Sequence, residues 1–185
     1  MSPIPLGVLA SSGFAAGSYD LLSTTILTSS QASVTFSNLN NFAADYQHLQ
    51  IRWTARSTGT ADLLIFIRPN GVTTGVNTWH QLWGNGSSVQ SLGFTGNANQ
   101  AAMGLATPST FGAGQFAAGV TDILDPFSST KSKTVRSLCT RLDEIQLSSG
   151  LSGNTAAWDS FQIMRNTNEF AIGSRFSLYG IRRVA

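Results

Sequence analysis

The sequence predicts an all-β protein, a single antiparallel β-sandwich, on three observations. Short segments alternate apolar with polar side chains at period two, as half-buried strands do. Glycine, asparagine, proline and serine separate them at the spacing of a sandwich or barrel. Helical periodicity is weak everywhere. At 185 residues the chain fits one domain and can bury a core without metal or disulfide staples.

The elements follow in chain order. Residues 1–17 read as an extended N-terminal arm, because Pro3, Pro5, Gly7, Gly13 and Gly17 deny it regular structure. Ile4, Leu6, Val8, Leu9 and Phe14 are too apolar to stand in water, so the arm is expected to lie on its own body or on a neighbouring subunit. Residues 18–185 form the sandwich. Leu21 to Leu27 is β-branched and apolar, and Ala32 to Phe36 sets Val34 and Phe36 on one face. His48 to Arg56 alternates most cleanly: Leu49, Ile51, Trp53 and Ala55 point inward, with Gln50, Arg52, Thr54 and Arg56 outward. Leu63 to Arg68 is denser and ends at Pro69-Asn70-Gly71, where Asn-Gly suits a tight hairpin. Trp79 to Trp83 runs into the turn Gly84-Asn85-Gly86. Residues 93–118 read as a long loop with a short strand near Met103 to Ala106. Gly119 to Leu124, Lys133 to Leu142, Ala156 to Met164 and Ser174 to Val184 complete a set of eight to ten strands, the last with Phe176 and Leu178 on one face. Short helical turns are expected near Asn41 to Tyr46 and Asp143 to Leu147.

Composition narrows the function. Charged residues are 11% of the chain, under half the usual share, against 42% hydrophobic. The exterior must therefore be mostly Ser, Thr, Asn, Gln and Gly, as in proteins whose surface meets other subunits and in extracellular or virion β-proteins. The net charge is +2 without a dense basic block, which argues against nucleic-acid binding. The nearest basic group is Lys131, Lys133, Arg136 and Arg141, with Arg182 and Arg183 at the far end, and solvation or an acidic neighbouring subunit accounts for it. The lone Cys139 excludes an intrachain disulfide and reads as a buried, inert thiol. The first residues lack the basic region of a signal peptide, and no apolar run is long enough for a membrane helix.

Motifs for catalysis are absent. His48 and His80, the only histidines, have no ligand spacing around them and read as hydrogen-bonding residues; no metal or cofactor is expected. No Gly-x-Ser-x-Gly elbow, calcium loop or phosphate loop is present. Asp122 with Asp125, and Asp143 with Glu144, read as turn-capping or solvated acids. No catalytic residue is assigned, and the protein is not expected to be an enzyme.

Several stretches carry a family likeness: GSYDLLSTTIL (17–27), SVTFSNL (33–39), YQHLQIRWTAR (46–56), RPNG (68–71), TWHQLWGNGSS (78–88), KTVRSL (133–138) and GSRFSLYGIRRV (173–184). With them the chain resembles tailed-bacteriophage virion structural proteins of the β-sandwich type, found in tail fibres, tail appendages and head decoration proteins. The closing Phe-Ser-Leu-Tyr-Gly-Ile is the most telling. The resemblance implies a jelly-roll-like sandwich that assembles as a homo-oligomer, a trimer above all, on a phage particle. Within these motifs Gly180 is expected to let another backbone approach, and Tyr179 and Trp53 to sit at a core edge or subunit seam.

Two functions follow. The first is a capsid decoration (cement) or tail appendage subunit, with Ile4, Leu6, Val8, Leu9 and Phe14 of the arm at the subunit interface and other virion proteins as partners. The second is a receptor-binding module for host-surface carbohydrate, with Trp79, Gln81, Trp83 and Asn85 as the sugar site and Asn77 and Trp158 beside them. Neither involves a membrane or nucleic acid, and both place the protein in the virion.

Overall fold

In a computed structural model, residues 18–61, 64–72, 77–98 and 100–183 are described. The arm, with Ile4, Leu6, Val8, Leu9 and Phe14, lies outside them. The described residues form twelve strands and no α-helix: β1 (Tyr19–Ile26), β2 (Ser33–Phe36), β3 (Tyr46–Ala55), β4 (Leu64–Pro69), β5 (Asn77–Gly84), β6 (Val89–Ala98), β7 (Ala101–Leu105), β8 (Ala117–Leu124), β9 (Lys133–Arg141), β10 (Glu144–Ser152), β11 (Phe161–Arg165) and β12 (Arg175–Arg182). They make an all-β sandwich. A large sheet has the order β1-β12-β3-β8-β9-β10-β5-β6, a small one the order β2-β11-β4-β7, and neighbouring strands in each are antiparallel.

The alternation expected around Trp53 is present. Leu49, Ile51, Trp53 and Ala55 are buried, and Phe176 and Leu178 join them from β12. Across the gap lie Val34, Phe36, Ile65, Ile67, Phe161 and Ile163 of the small sheet. Fully burying one such side chain stabilises the fold by about 1.5–3 kcal/mol.

Five local expectations need correction. Asn70 and Gly71 do take positive φ (46° and 63°), but they join β4 to a strand of the other sheet and close no hairpin. Asn70 instead holds the 157–160 segment, its Oδ1 accepting from the Asp159 and Ser160 amides at 2.9 and 3.1 Å. That segment is irregular, so the strand expected from Ala156 begins only at Phe161. Near Asn41 the turn is 3-10 (Leu39–Phe42), and Tyr46 already opens β3. The helical turn expected at Asp143 to Leu147 is the start of β10, and the loop expected over 93–118 contains part of β6 besides β7, the short strand expected near Met103 to Ala106.

β7 shapes the large sheet above it. It packs across the inner faces of β9 and β10, and its sequence is Ala-Ala-Met-Gly-Leu. A Cβ on Gly150 of β10 would lie 2.7 Å from Ala101 Cβ, and one on Gly104 would lie 2.5 Å from Cys139 Sγ. Only short side chains fit at this separation. Gly180 is explained differently from the expectation: the Tyr46 ring, and no second backbone, occupies the place of its missing side chain at 2.4 Å.

Candidate functional site

The large sheet changes polarity part-way across. On its inner face a directly opposed row runs Leu178, Ile51, Thr121, Ser137, Ser148, Gln81. It starts apolar on β12 and β3 and turns polar from β8 onward, yet all six are buried. The polar members are bonded. Trp53 Nε1 donates to Thr121 Oγ1 at 3.1 Å, Thr121 and Ser137 share a hydroxyl bond of 2.8 Å, Ser137 Oγ donates to the Val120 carbonyl at 3.1 Å, and Gln81 Nε2 donates to Ser148 Oγ at 3.3 Å. Buried hydroxyls and amides are tolerable only when paired in this way.

The outer face has the reverse gradient. The parallel row runs Thr24, Ser177, Arg52, Val120, Leu138, Leu147, Leu82. Polar on β1, β12 and β3, it becomes purely aliphatic on β8, β9, β10 and β5. Val120, Leu138, Leu147 and Leu82 are 40%, 50%, 52% and 47% exposed. Ile145 of β10 and Val89 of β6 flank the row on one side, and on the other the polar row Asp122, Arg136, Ser149 and His80 separates it from Leu151. β10 thus carries Gln146, Ser148 and Ser152 inward and its Ile145, Leu147 and Leu151 outward, with Ser149 among them. An unbroken aliphatic row over four strands is the mark of an interaction surface, whereas scattered exposed leucines are not.

The polar half of this face is organised around Arg52. Its guanidinium lies 4.8 Å from the Tyr179 ring centre and 5.7 Å from that of Tyr19, and its Nε donates to Gln50 Oε1 at 3.0 Å. Gln50 in turn donates to Asp122, which pairs with Arg136 at 3.3 Å. Where the two halves meet, a groove of about 570 Å³ is lined by Arg52, Arg175 and Tyr179, by Val120, Leu138 and Ile145, and by small residues including Ala118 and Gly119.

The predicted sugar-site residues do not form one exposed surface. Trp79 is 8% exposed, stacked on Phe94 with ring centres 6.3 Å apart and edge-on to Phe66 at 6.2 Å. Gln81 is buried on the polar inner row, and Asn77 and Trp158 are buried as well. Trp83 is half-buried, and Asn85 spends its Oδ1 on the amides of Ser87 and Ser88 in the β5–β6 turn. Tyr179 is half-buried at the expected edge, under Arg52, while Trp53 lies wholly in the core.

The basic group also dissolves. Lys133 is buried and its ammonium donates to the Thr155 carbonyl; burial pushes it below the usual lysine range. Arg141 is held by Asp143 at 2.8 Å and Glu144 at 3.2 Å, and Lys131 pairs with Asp125 at 3.3 Å. The paired acids are thereby absorbed. Burial pushes the Asp125 carboxyl upward, but hydrogen bonds from Gln47 and Lys131, and the charges of Lys131 and His48, outweigh it and hold it below its usual range. His48 Nδ1 accepts from the Asp125 amide at 3.0 Å. Among the described residues no cluster of three or more His, Cys, Asp or Glu is placed to hold a metal. Cys139 is buried, and desolvation pushes its thiol up to about 11.

The chain matches no protein-family model and no curated protein sequence.

Proposed function

We propose that this protein is a bacteriophage virion structural subunit, a capsid decoration or tail appendage protein, that mates with copies of itself through the outer face of β8, β9, β10 and β5. The observation that carries the reading is the directly opposed row Val120, Leu138, Leu147 and Leu82, half-exposed above a buried polar layer. Covering a half-exposed leucine is worth about 1 kcal/mol, so this row alone supplies roughly 4 kcal/mol per subunit on association. The row carries no charge, so a like surface can meet it without stranding one. A charged fraction of 11% fits a protein whose exterior is largely consumed by neighbours. The phage setting and three-fold assembly rest on the sequence motifs ending in Phe-Ser-Leu-Tyr-Gly-Ile. The carbohydrate alternative has no comparable support, since Trp79 and Gln81 are buried.

The test is made on particles. Antibody raised against the folded protein should label intact virions, and Leu147→Lys should fold normally yet fail to be incorporated. An exposed position alters the protomer by no more than about 0.5 kcal/mol. Burying its ammonium in an aliphatic seam costs several kcal/mol. Unlabelled particles, or full incorporation of the variant, would reject the proposal.

A further inference from the structure

The groove on the outer face has an unbalanced charge. Arg52 opposes Ser177, and Arg175 lies two residues away on the same strand, so the two guanidinium groups are diagonal neighbours on one face. Such like-charged neighbours repel. Arg175 Nε is tied to Ser177 Oγ at 3.2 Å and Arg52 Nε to Gln50, which fixes both side chains within their own wall. No carboxylate lines the groove. Among the described residues neither arginine enters an ion pair, whereas Arg136, Arg141 and Arg182 each do.

The groove is also polar along its length. Its floor is the directly opposed row Thr54, Ala118, Thr140, with Arg175 at one end and Ile145 at the other. Along its side the neighbouring row changes from Arg52 to Val120 and Leu138. From β12 to β10 is four strand spacings, about 19 Å, the length of five or six extended residues. A ligand that fills it must therefore offer an anion at one end and apolar side chains at the other. The planar fork of a guanidinium suits a carboxylate. Five of the nine acids, Asp20, Asp122, Asp125, Asp143 and Glu144, are engaged in internal ion pairs, which leaves four at most for the arginines of a neighbouring copy. The net charge of +2 likewise favours an acidic partner.

We propose that this groove is the docking site for an extended segment of a different protein, a segment that places an aspartate or glutamate on Arg52 and Arg175 and apolar side chains against Ala118 and Ile145. The proposal rests on the outer face being an assembly surface and adds the chemistry of a second partner beside the self-mating row of Val120, Leu138, Leu147 and Leu82.

The probes are two fluorescent heptapeptide pools with leucine, valine or phenylalanine at the carboxyl-terminal alternate positions, identical except for aspartate or asparagine near the amino terminus. The wild-type protein should bind the aspartate pool about tenfold more tightly, the scale of a charge-assisted hydrogen bond. In the double variant Arg52→Gln, Arg175→Gln that preference should vanish, while Ile145→Ser should weaken both pools. Equal binding of the two pools by wild type, an unchanged preference in the arginine variant, or no binding at roughly 1 mM peptide would each overturn the proposal. Sedimentation separates this from the self-association reading. The arginine variant should sediment as wild type does, and its dissociation would overturn the proposal by assigning the groove to the contact between copies. A monomeric wild type that still prefers the aspartate pool would sink self-association and leave the groove intact.

Discussion

Replacing Trp79 by alanine distinguishes a structural tryptophan from a sugar platform. The ring is 8% exposed, stacked at 15° on its cross-strand partner Phe94 and edge-on to Phe66, in a cluster with Ala102 against which Leu64 and Met164 pack. Truncating a buried tryptophan costs about 3–5 kcal/mol. Phe94 is itself 46% exposed and β6 is a sheet edge, so the cavity can partly collapse and the lower end applies, about 3 kcal/mol. For a domain of this size that is a fall in Tm of roughly 6–12 °C. Urea unfolding followed by circular dichroism reads the change, with Trp79→Phe recovering most of the loss because it keeps a ring between Phe66 and Phe94. A loss of glycan or cell binding in Trp79→Ala would then report damage to the β5–β6 hairpin. An unchanged midpoint would refute the packing argument and return Trp79 to the list of candidate contact residues.

Two further outcomes test the interior. Gly119→Ala places a Cβ 2.4 Å from Trp53 Cζ2 and 2.9 Å from Cys139 Cβ, while the Trp53 ring is pinned by Thr121 and backed by Gly104; it should cost about 1–3 kcal/mol in urea unfolding, less when combined with Trp53→Phe. Cys139 keeps its proton in the fold up to about 11 against 9.0 when free, so its contribution is fully present below pH 9 and is lost as the pH rises towards 11. Wild type should therefore lose roughly 2 kcal/mol more than Cys139→Ala between those limits, and parallel pH profiles would contradict the assignment.

Much of the fold could be read from local pattern, because a strand with one buried face announces itself at period two. Leu49 to Ala55 and Phe176 with Leu178 did so, and the core lies on those faces. What local pattern cannot supply is the sign of the alternation. Leu82-Trp83, Leu138-Cys139 and Ile145 to Ser152 are amphipathic whichever way they are turned, and only the close passage of β7 forces serine, glutamine and glycine inward. That contact joins residues far apart in the chain. It also hides β10 in the sequence: its outward leucines sit behind Asp143-Glu144, which resemble a helix start. Trp79, Gln81 and Trp83 misled for a related reason. They share one strand face, and a polar residue between two aromatics looks like a binding surface until the inward direction of that face is known. The groove residues Arg52 and Arg175 were legible only as outward-facing polar positions, since their proximity depends on the β3–β12 register.

The aliphatic side chains on β8, β9, β10 and β5 are either covered by another copy or left in water. Sedimentation equilibrium of the wild-type protein, run from nanomolar to tens of micromolar, measures this directly. A reversible, concentration-dependent homo-oligomer that Leu147→Lys converts to a folded protomer is the predicted result. A wild-type protein that stays a soluble monomer across the whole range would contradict it.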